Sequence, residues 1–329
     1  MVASLKNTQR QLKIRLRSRV RRSMDRLDNE QVRRARGLLR ALRTDPPDVL
    51  YLGDSMLSFV AAEDQDRRRL DTMVRDGLGA GTKMHVVDGA SFHADLFDAY
   101  LRLLEATPHR PLVIVPLWTR GRSAAFMEHP VHGHKKAMRS IRQVNLAAGT
   151  WRVRGAWPRP TPAEFETFYA VPYPTLLGDL TVGDYVKPIA ELARTGQEEE
   201  RVKMLYAYHH GGLLTVDTPG MDAVTNMAKR IADLGCPVVV YQTPVPVETG
   251  VRFYGEQFAE RTAASLRALN AAYRLGAGPD AEIIESGMSF AESEFIDPND
   301  ASEHLNERGR RRLADMIVQG VRARRGDAE

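Results

Sequence analysis

Two residues in this chain are of a type and setting suited to chemistry. One is Ser55, in VLYLGDSMLS (49–58), where an apolar run stops at Gly53 and Asp54 precedes the hydroxyl. The other is His304, in FIDPNDASEHLNERGRRRLADMIVQGV near the C-terminus. A serine hydroxyl attacks a carbonyl only when a base takes its proton, and the base needs a group that orients it. Acids at Asp297, Asp300 and Glu303 precede the histidine and could orient it. Serine, histidine and acid together would support acyl transfer through a Ser55 acyl intermediate. The plainer readings are that Ser55 closes a turn and His304 caps the last helix. Asp54 reads first as an acceptor that fixes its loop, with substrate contact as a second role.

The elements that would position these residues can be read from the same sequence. Five short apolar segments follow Asp45-Pro46-Pro47: VLYLG (49–53), MHVVDG (84–89), PLVIVPLW (111–118), PVVVYQTP (237–244) and AEIIESG (281–287). Helix-like stretches separate them, including RRRLDTMVRDGLG, ADLFDAYLRLLEA and FAERTAASLRALNAAYRLG. This alternation predicts a parallel sheet with helices on both faces. Ligands of such sheets bind beyond the C-terminal strand ends. Ser55 follows the first strand, and backbone N–H groups at the start of the next helix could face an oxyanion. Gly89 follows the second strand. Thr119, Arg120 and Arg122 come after the third as candidate donors to an oxyanion or anionic substrate, and Trp118 at its end and Glu248, Tyr254 and Gln257 after the fourth are candidates for substrate contact.

GDSM (53–56) and HLNERG (304–309) together resemble the SGNH, or GDSL-type, hydrolase superfamily. The resemblance covers about 49–321 and implies a flavodoxin-like three-layer α/β sandwich of about five parallel strands. It implies Ser55 as nucleophile and His304 as base. The His-Leu-Asn form resembles members acting on acyl groups of sugars and cell-envelope polymers, including O-acetyl esterases and acyltransferases. The implied oxyanion donors are the Ser55 N–H, the Gly89 N–H and an Asn side chain after the third strand. Two positions depart from the family pattern. The family's Asp three residues before the His is Ala301 here, so Asp300 is the first candidate orienter and Asp297 the second. PLWTRGRS holds no Asn, which leaves Thr119, Arg120 or Arg122 as donors. The expected activity is hydrolysis of a carbohydrate or small-molecule O-acyl ester. The alternatives are O-acyl transfer to a sugar or polymer hydroxyl, and non-catalytic binding at an anionic surface.

More than a hundred residues separate the third and fourth segments, far beyond what a crossover needs. The Pro- and aromatic-rich FETFYAVPYPTLLGDLTVGDYVKP within them points to an ordered cap at about 120–235. His129, His132 and His134 beside Glu128 have chelating spacing but no complete ligand set, so no metal is expected, and His209-His210 could line the cap. No phosphate-binding or dinucleotide glycine loop is present, so no cofactor is expected.

The chain of 329 residues has a net charge of +5, but the charge is unevenly spread. Residues 1–44 carry fourteen Lys and Arg against three Asp and Glu, which leaves 45–329 mildly acidic. Apolar positions at helical spacing make 1–44 a basic amphipathic helical leader, packed on the domain or a second subunit, or drawn to anionic lipid. It has no aromatic residues for base stacking, so nucleic acid is not expected as a partner. A lone Cys236 excludes an internal disulfide, and no apolar run of membrane-spanning length occurs, so the expected location is cytoplasmic, at most peripheral to a membrane.

Overall fold

The computed structural model describes residues 30–120, 134–150, 182–210, 214, 218 and 220–326. Among the described residues four parallel strands form one sheet: β1 (Val49–Leu52), β2 (Met84–Val87), β3 (Leu112–Leu117) and β4 (Val238–Gln242), in the order β2-β1-β3-β4. β1 and β3 are buried along their whole length, which is why they read as unbroken apolar runs rather than alternating ones. β1 aligns Leu52 with Val87 of β2 and Tyr51 with Ile114 of β3, so the strand ends form one rim.

The fifth apolar segment does not form a strand. Ile284 pairs with β4 through one parallel bridge to Tyr241, exchanging backbone bonds with Gln242 (3.0 Å) and Val240 (2.8 Å). Glu282 and Glu285 on either side are exposed. Ser286 then turns the chain, donating its N–H to the Ile284 carbonyl at 2.9 Å and its hydroxyl to that of Gln242. Only two β-branched residues are available before this turn, so pairing stops after one step.

The described helices are α1 (30–44), α2 (Leu70–Leu78), α3 (Ala94–Leu101), α4 (Lys135–Ala148), α5 (Val182–Thr195), α6 (Glu198–His210), α7 (Met221–Leu234), α8 (Val247–Tyr254), α9 (Glu256–Ala277) and α10 (Glu307–Arg325). Strand side chains alternate between two cores. Leu50, Leu52, Val113 and Val115 face α1, α3, α4, α7 and α9, while Val49, Tyr51, Leu112 and Ile114 face α2 and α10. Helices therefore cover both faces of the sheet.

Packing brings the described part of the basic leader against the sheet. Ala35, Leu38 and Leu42 of α1 lie in the first core, Gln31 accepts the Tyr100 hydroxyl at 2.6 Å, and Arg34 reaches Asp88 at 3.0 Å. Residues 30–44 are thus part of the α/β domain, and residues 1–29 of the expected leader lie outside the described residues. The described helices within 120–235 pack in two places. α4 and α7 belong to the main core, while α6 packs separately, through Val202 and Tyr206, against Val245, Phe258 and Ala301. Among the described residues no helix is long and apolar enough to cross a membrane.

Candidate active site

β1 ends at Leu52, and Gly53 N–H still donates to Val87 O of β2 at 2.9 Å. The chain then leaves the sheet in a single 3₁₀ turn, Ser55–Leu57, whose N-cap is Asp54. The buried Asp54 carboxylate accepts the Met56 N–H at 2.9 Å, which satisfies a donor at the turn's open end. This turn sets Ser55 half-buried on the rim. Asp54 therefore has the loop-fixing role, with its carboxylate turned into the protein.

His304 arrives from the other end of the chain through the segment before α10. Its carbonyl accepts the Ile296 N–H at 2.9 Å, and Leu305 bridges to Phe295. The other residues of HLNERG fix this approach. Leu305 is in the core beneath the sheet. Asn306 caps α10, accepting from Arg308 N (3.1 Å) and Gly309 N (3.2 Å), and donates its amide to Ser293 O (2.8 Å) and Phe295 O (3.3 Å). A Cβ at Gly309 would lie 2.4 Å from the Glu294 carbonyl oxygen, so only glycine permits the helix to sit this close.

The two candidate residues meet. Ser55 Oγ lies 3.1 Å from His304 Nε2, within reach for proton transfer. Phe59, four residues after the serine, stacks on the imidazole with centroids 4.2 Å apart and planes 3° from parallel. The imidazole pKa is lowered from its ordinary value, first by burial and also by the charge on Arg120, against raising contributions from Glu303 and Asp300.

The expected orienting acids are not brought to the histidine. Asp300 is exposed and lies 3.7 Å from Arg201 of α6, and the exposed Asp297 accepts the Asn299 N–H at 2.9 Å. Among the described residues no carboxylate lies within 4.0 Å of a His304 ring nitrogen. Ala301 explains this: it adopts a left-handed conformation (φ 49°) and buries its methyl with Tyr206 and Phe258. That bend turns the preceding residues outward to solvent.

Glu303 is the buried acid of the segment, and it points to Arg120, whose guanidinium donates to it at 2.9 Å. Asp54 shares this environment. Burial first, then the charge on Glu303, push the Asp54 carboxyl up to about 7, against the Met56 N–H and Arg120. Burial would raise Glu303 too, but Arg120 and then His304 hold it below the usual carboxylate range. Near neutral pH, Glu303 keeps the negative charge and Asp54 takes up a proton.

The expected oxyanion donors separate into two groups. Ser55 and Gly89 follow neighbouring strands in register, and no described hydrogen bond uses either N–H. Gly89 also admits the buried Phe92 ring, since a Cβ would lie 2.4 Å from it. Thr119 and Arg120 are already engaged. His210 lies 3.1 Å from the Ala301 carbonyl, which can only accept, so Nε2 carries the proton and the Thr119 hydroxyl donates to Nδ1 at 3.4 Å. Burial above all pushes His210 down to about 4, so it is neutral at pH 7. Arg120 is bound to Glu303 as described.

The expected substrate contacts fare unevenly. Trp118 is buried against Phe97. Glu248 accepts the Glu292 N–H at 3.3 Å, and the Tyr254 hydroxyl donates to Lys203 O at 2.7 Å. None of the three has a described contact with Ser55 or His304. Arg122, His129 and His132 lie outside the described residues. His134 lies 3.1 Å from Ser91 O, and among the described residues no cluster of His, Cys, Asp and Glu could hold a metal ion.

No protein-family model matches this chain. No curated protein matches it significantly either. The functional reading therefore rests on geometry and sequence motifs.

Phe59 was not legible as a site residue, because one aromatic among the apolar residues of MLSFVAA carries no motif. Glu303 was visible as an acid beside the histidine, but its partner Arg120 lies 183 residues away.

Proposed function

We propose that this chain carries out serine-dependent acyl transfer, with hydrolysis of an O-acyl ester of a carbohydrate or small molecule as the reaction. The observation that carries the reading is the 3.1 Å approach of Ser55 Oγ to His304 Nε2 at the C-terminal rim of a parallel sheet. Neutral His304, with its proton on Nδ1, accepts the hydroxyl proton as Ser55 attacks the ester carbonyl. The developing oxyanion would face the Ser55 and Gly89 N–H groups, a role consistent with their places just after two neighbouring strands in register. The imidazolium then protonates the leaving alcohol. Water, activated by the same imidazole, releases the acid and restores Ser55. A sugar hydroxyl in place of water would make the reaction an acyl transfer.

The resemblance of GDSM and HLNERG to SGNH hydrolases supports this reading. So does the sheet: if Ile284 is counted as the fifth position beside β4, the order becomes 2-1-3-4-5, that of a flavodoxin-like fold. One observation favours a second reading, a binding protein that turns nothing over: His304 has no described carboxylate partner.

A serine-directed fluorophosphonate separates the two. The wild-type chain is expected to label at Ser55, with labelling lost in Ser55→Ala and reduced at least about 100-fold in His304→Ala, as for removal of a general base. Equal labelling of wild type and Ser55→Ala would rule out the acyl-enzyme reading.

A further inference from the structure

We propose that Phe59 is a positioning residue for His304: its ring holds the imidazole in the plane that faces Ser55 and stabilises the imidazolium formed when Ser55 gives up its proton. The inference rests on the acyl-transfer reading above. It answers a question the site leaves open, namely what orients a base that no described carboxylate touches.

The geometry is that of a built contact. Phe59 N–H donates to Ser55 O at 2.9 Å, so one turn presents the serine hydroxyl to the edge of the imidazole and an aromatic face to its plane. The rings are 3° from parallel at 4.2 Å. The ring is 47% exposed, so core burial does not hold it there. The chain after Phe59 is tied to the helix that follows His304. The Asp64 carboxylate accepts from Arg310 Nη1 (2.7 Å), Glu307 N (3.1 Å) and Ala61 N (3.0 Å), and Glu307 accepts the Asp66 N–H at 2.7 Å. These bonds tie together the two segments that bear the two rings.

A parallel stack restricts rotation of the imidazole about its Cβ–Cγ bond, which a single bond at Nε2 does not. An aromatic face also attracts a cation, more strongly when the pair is partly desolvated. The charged groups that act on His304 are Glu303 and Asp300 from its own segment and Arg120 from the end of β3. Asp54 and His210 in turn face the Glu303–Arg120 pair. Phe59 adds a contribution that favours the protonated ring without adding a charge to the site.

The test is an NMR titration of the His304 ring in wild type, Phe59→Leu and Phe59→Trp, paired with fluorophosphonate labelling rates. Leucine keeps the apolar bulk and removes the aromatic face; tryptophan strengthens it. The His304 pKa is expected to fall by about half a unit in Phe59→Leu and to rise above the wild-type value in Phe59→Trp. Labelling should slow by roughly 3- to 30-fold with leucine and return with tryptophan, following the same loss and recovery of the imidazolium's stabilisation. An unchanged titration in Phe59→Leu overturns the inference whatever the labelling shows. If Phe59→Leu does not fold, Phe59→Trp decides alone: a raised pKa supports the inference, and an unchanged or lowered one overturns it. A wild type that never labels counts against the acyl-transfer reading, and the titration still decides the part played by Phe59.

Discussion

Asp54 and Glu303 bring two carboxylates to one arginine inside the protein, and Arg120 can neutralise only one of them. Glu303 has the direct bond, so Asp54 carries the cost of the crowding. Its folded-state pKa of about 7 stands well above the ordinary 3.8. Between these values the folded chain holds a proton that the unfolded chain has lost, so stability due to Asp54 falls as pH rises through that window. Asp54→Asn removes the titration while its side-chain oxygen still accepts from Met56. The variant's Tm relative to wild type is therefore expected to rise between pH 4 and pH 8, by the equivalent of about 1 kcal/mol or more. Thermal unfolding across this range checks it, and a pH-independent difference would mean that Asp54 stays ionised throughout.

At the scale of elements, the start of α10 does most to place the candidate base, and its residues divide the work. Asn306 satisfies the helix N-terminus, and Arg310 fixes the helix to the loop after Phe59. Arg310 is fully buried, paired with Asp64 and donating to the carbonyls of Arg68, Asp66 and Leu305. Asn306→Ala removes a cap and is expected to cost about 1–2 kcal/mol. Arg310→Met strands the buried Asp64 carboxylate and is expected to cost about 3–5 kcal/mol. Chemical denaturation gives both, and the ranking is the prediction: a smaller loss for Arg310→Met would mean that Asp64 finds solvent when its partner is gone. HLNERG was legible because capping and close approach demand particular residue types at fixed spacing. The absence of a described acid at His304 was not, because where Asp297, Asp300 and Glu303 point depends on the left-handed bend at Ala301, which a non-glycine residue does not advertise. Phe59 was hidden for a related reason, since its partner comes from the far end of the chain.

At the scale of the molecule, the sheet was the readable part, because buried parallel strands are apolar at every position. It was over-read only where AEIIESG has too few apolar residues to extend beyond Ile284. The division at residue 44 follows charge rather than packing. Charge dominates the composition of 1–44, yet α1 buries Ala35, Leu38 and Leu42 and turns its arginines outward or toward Asp88. Composition reports the average of a segment, whereas packing depends on one face of it. The consequence is testable. Deleting residues 1–44 removes these three side chains from the larger core and leaves its remaining residues exposed. Each buried leucine contributes on the order of 2 kcal/mol, so a loss of several kcal/mol and a tendency to aggregate are expected. Deleting only 1–29 keeps α1, so comparing the two thermal midpoints separates the contribution of α1 from that of the residues before it. Any test of attraction between the basic leader and anionic liposomes therefore needs the shorter deletion, since the longer one would alter binding by unfolding the domain. A large fall in Tm on deleting 1–29 would show that the N-terminal segment also contributes to the core.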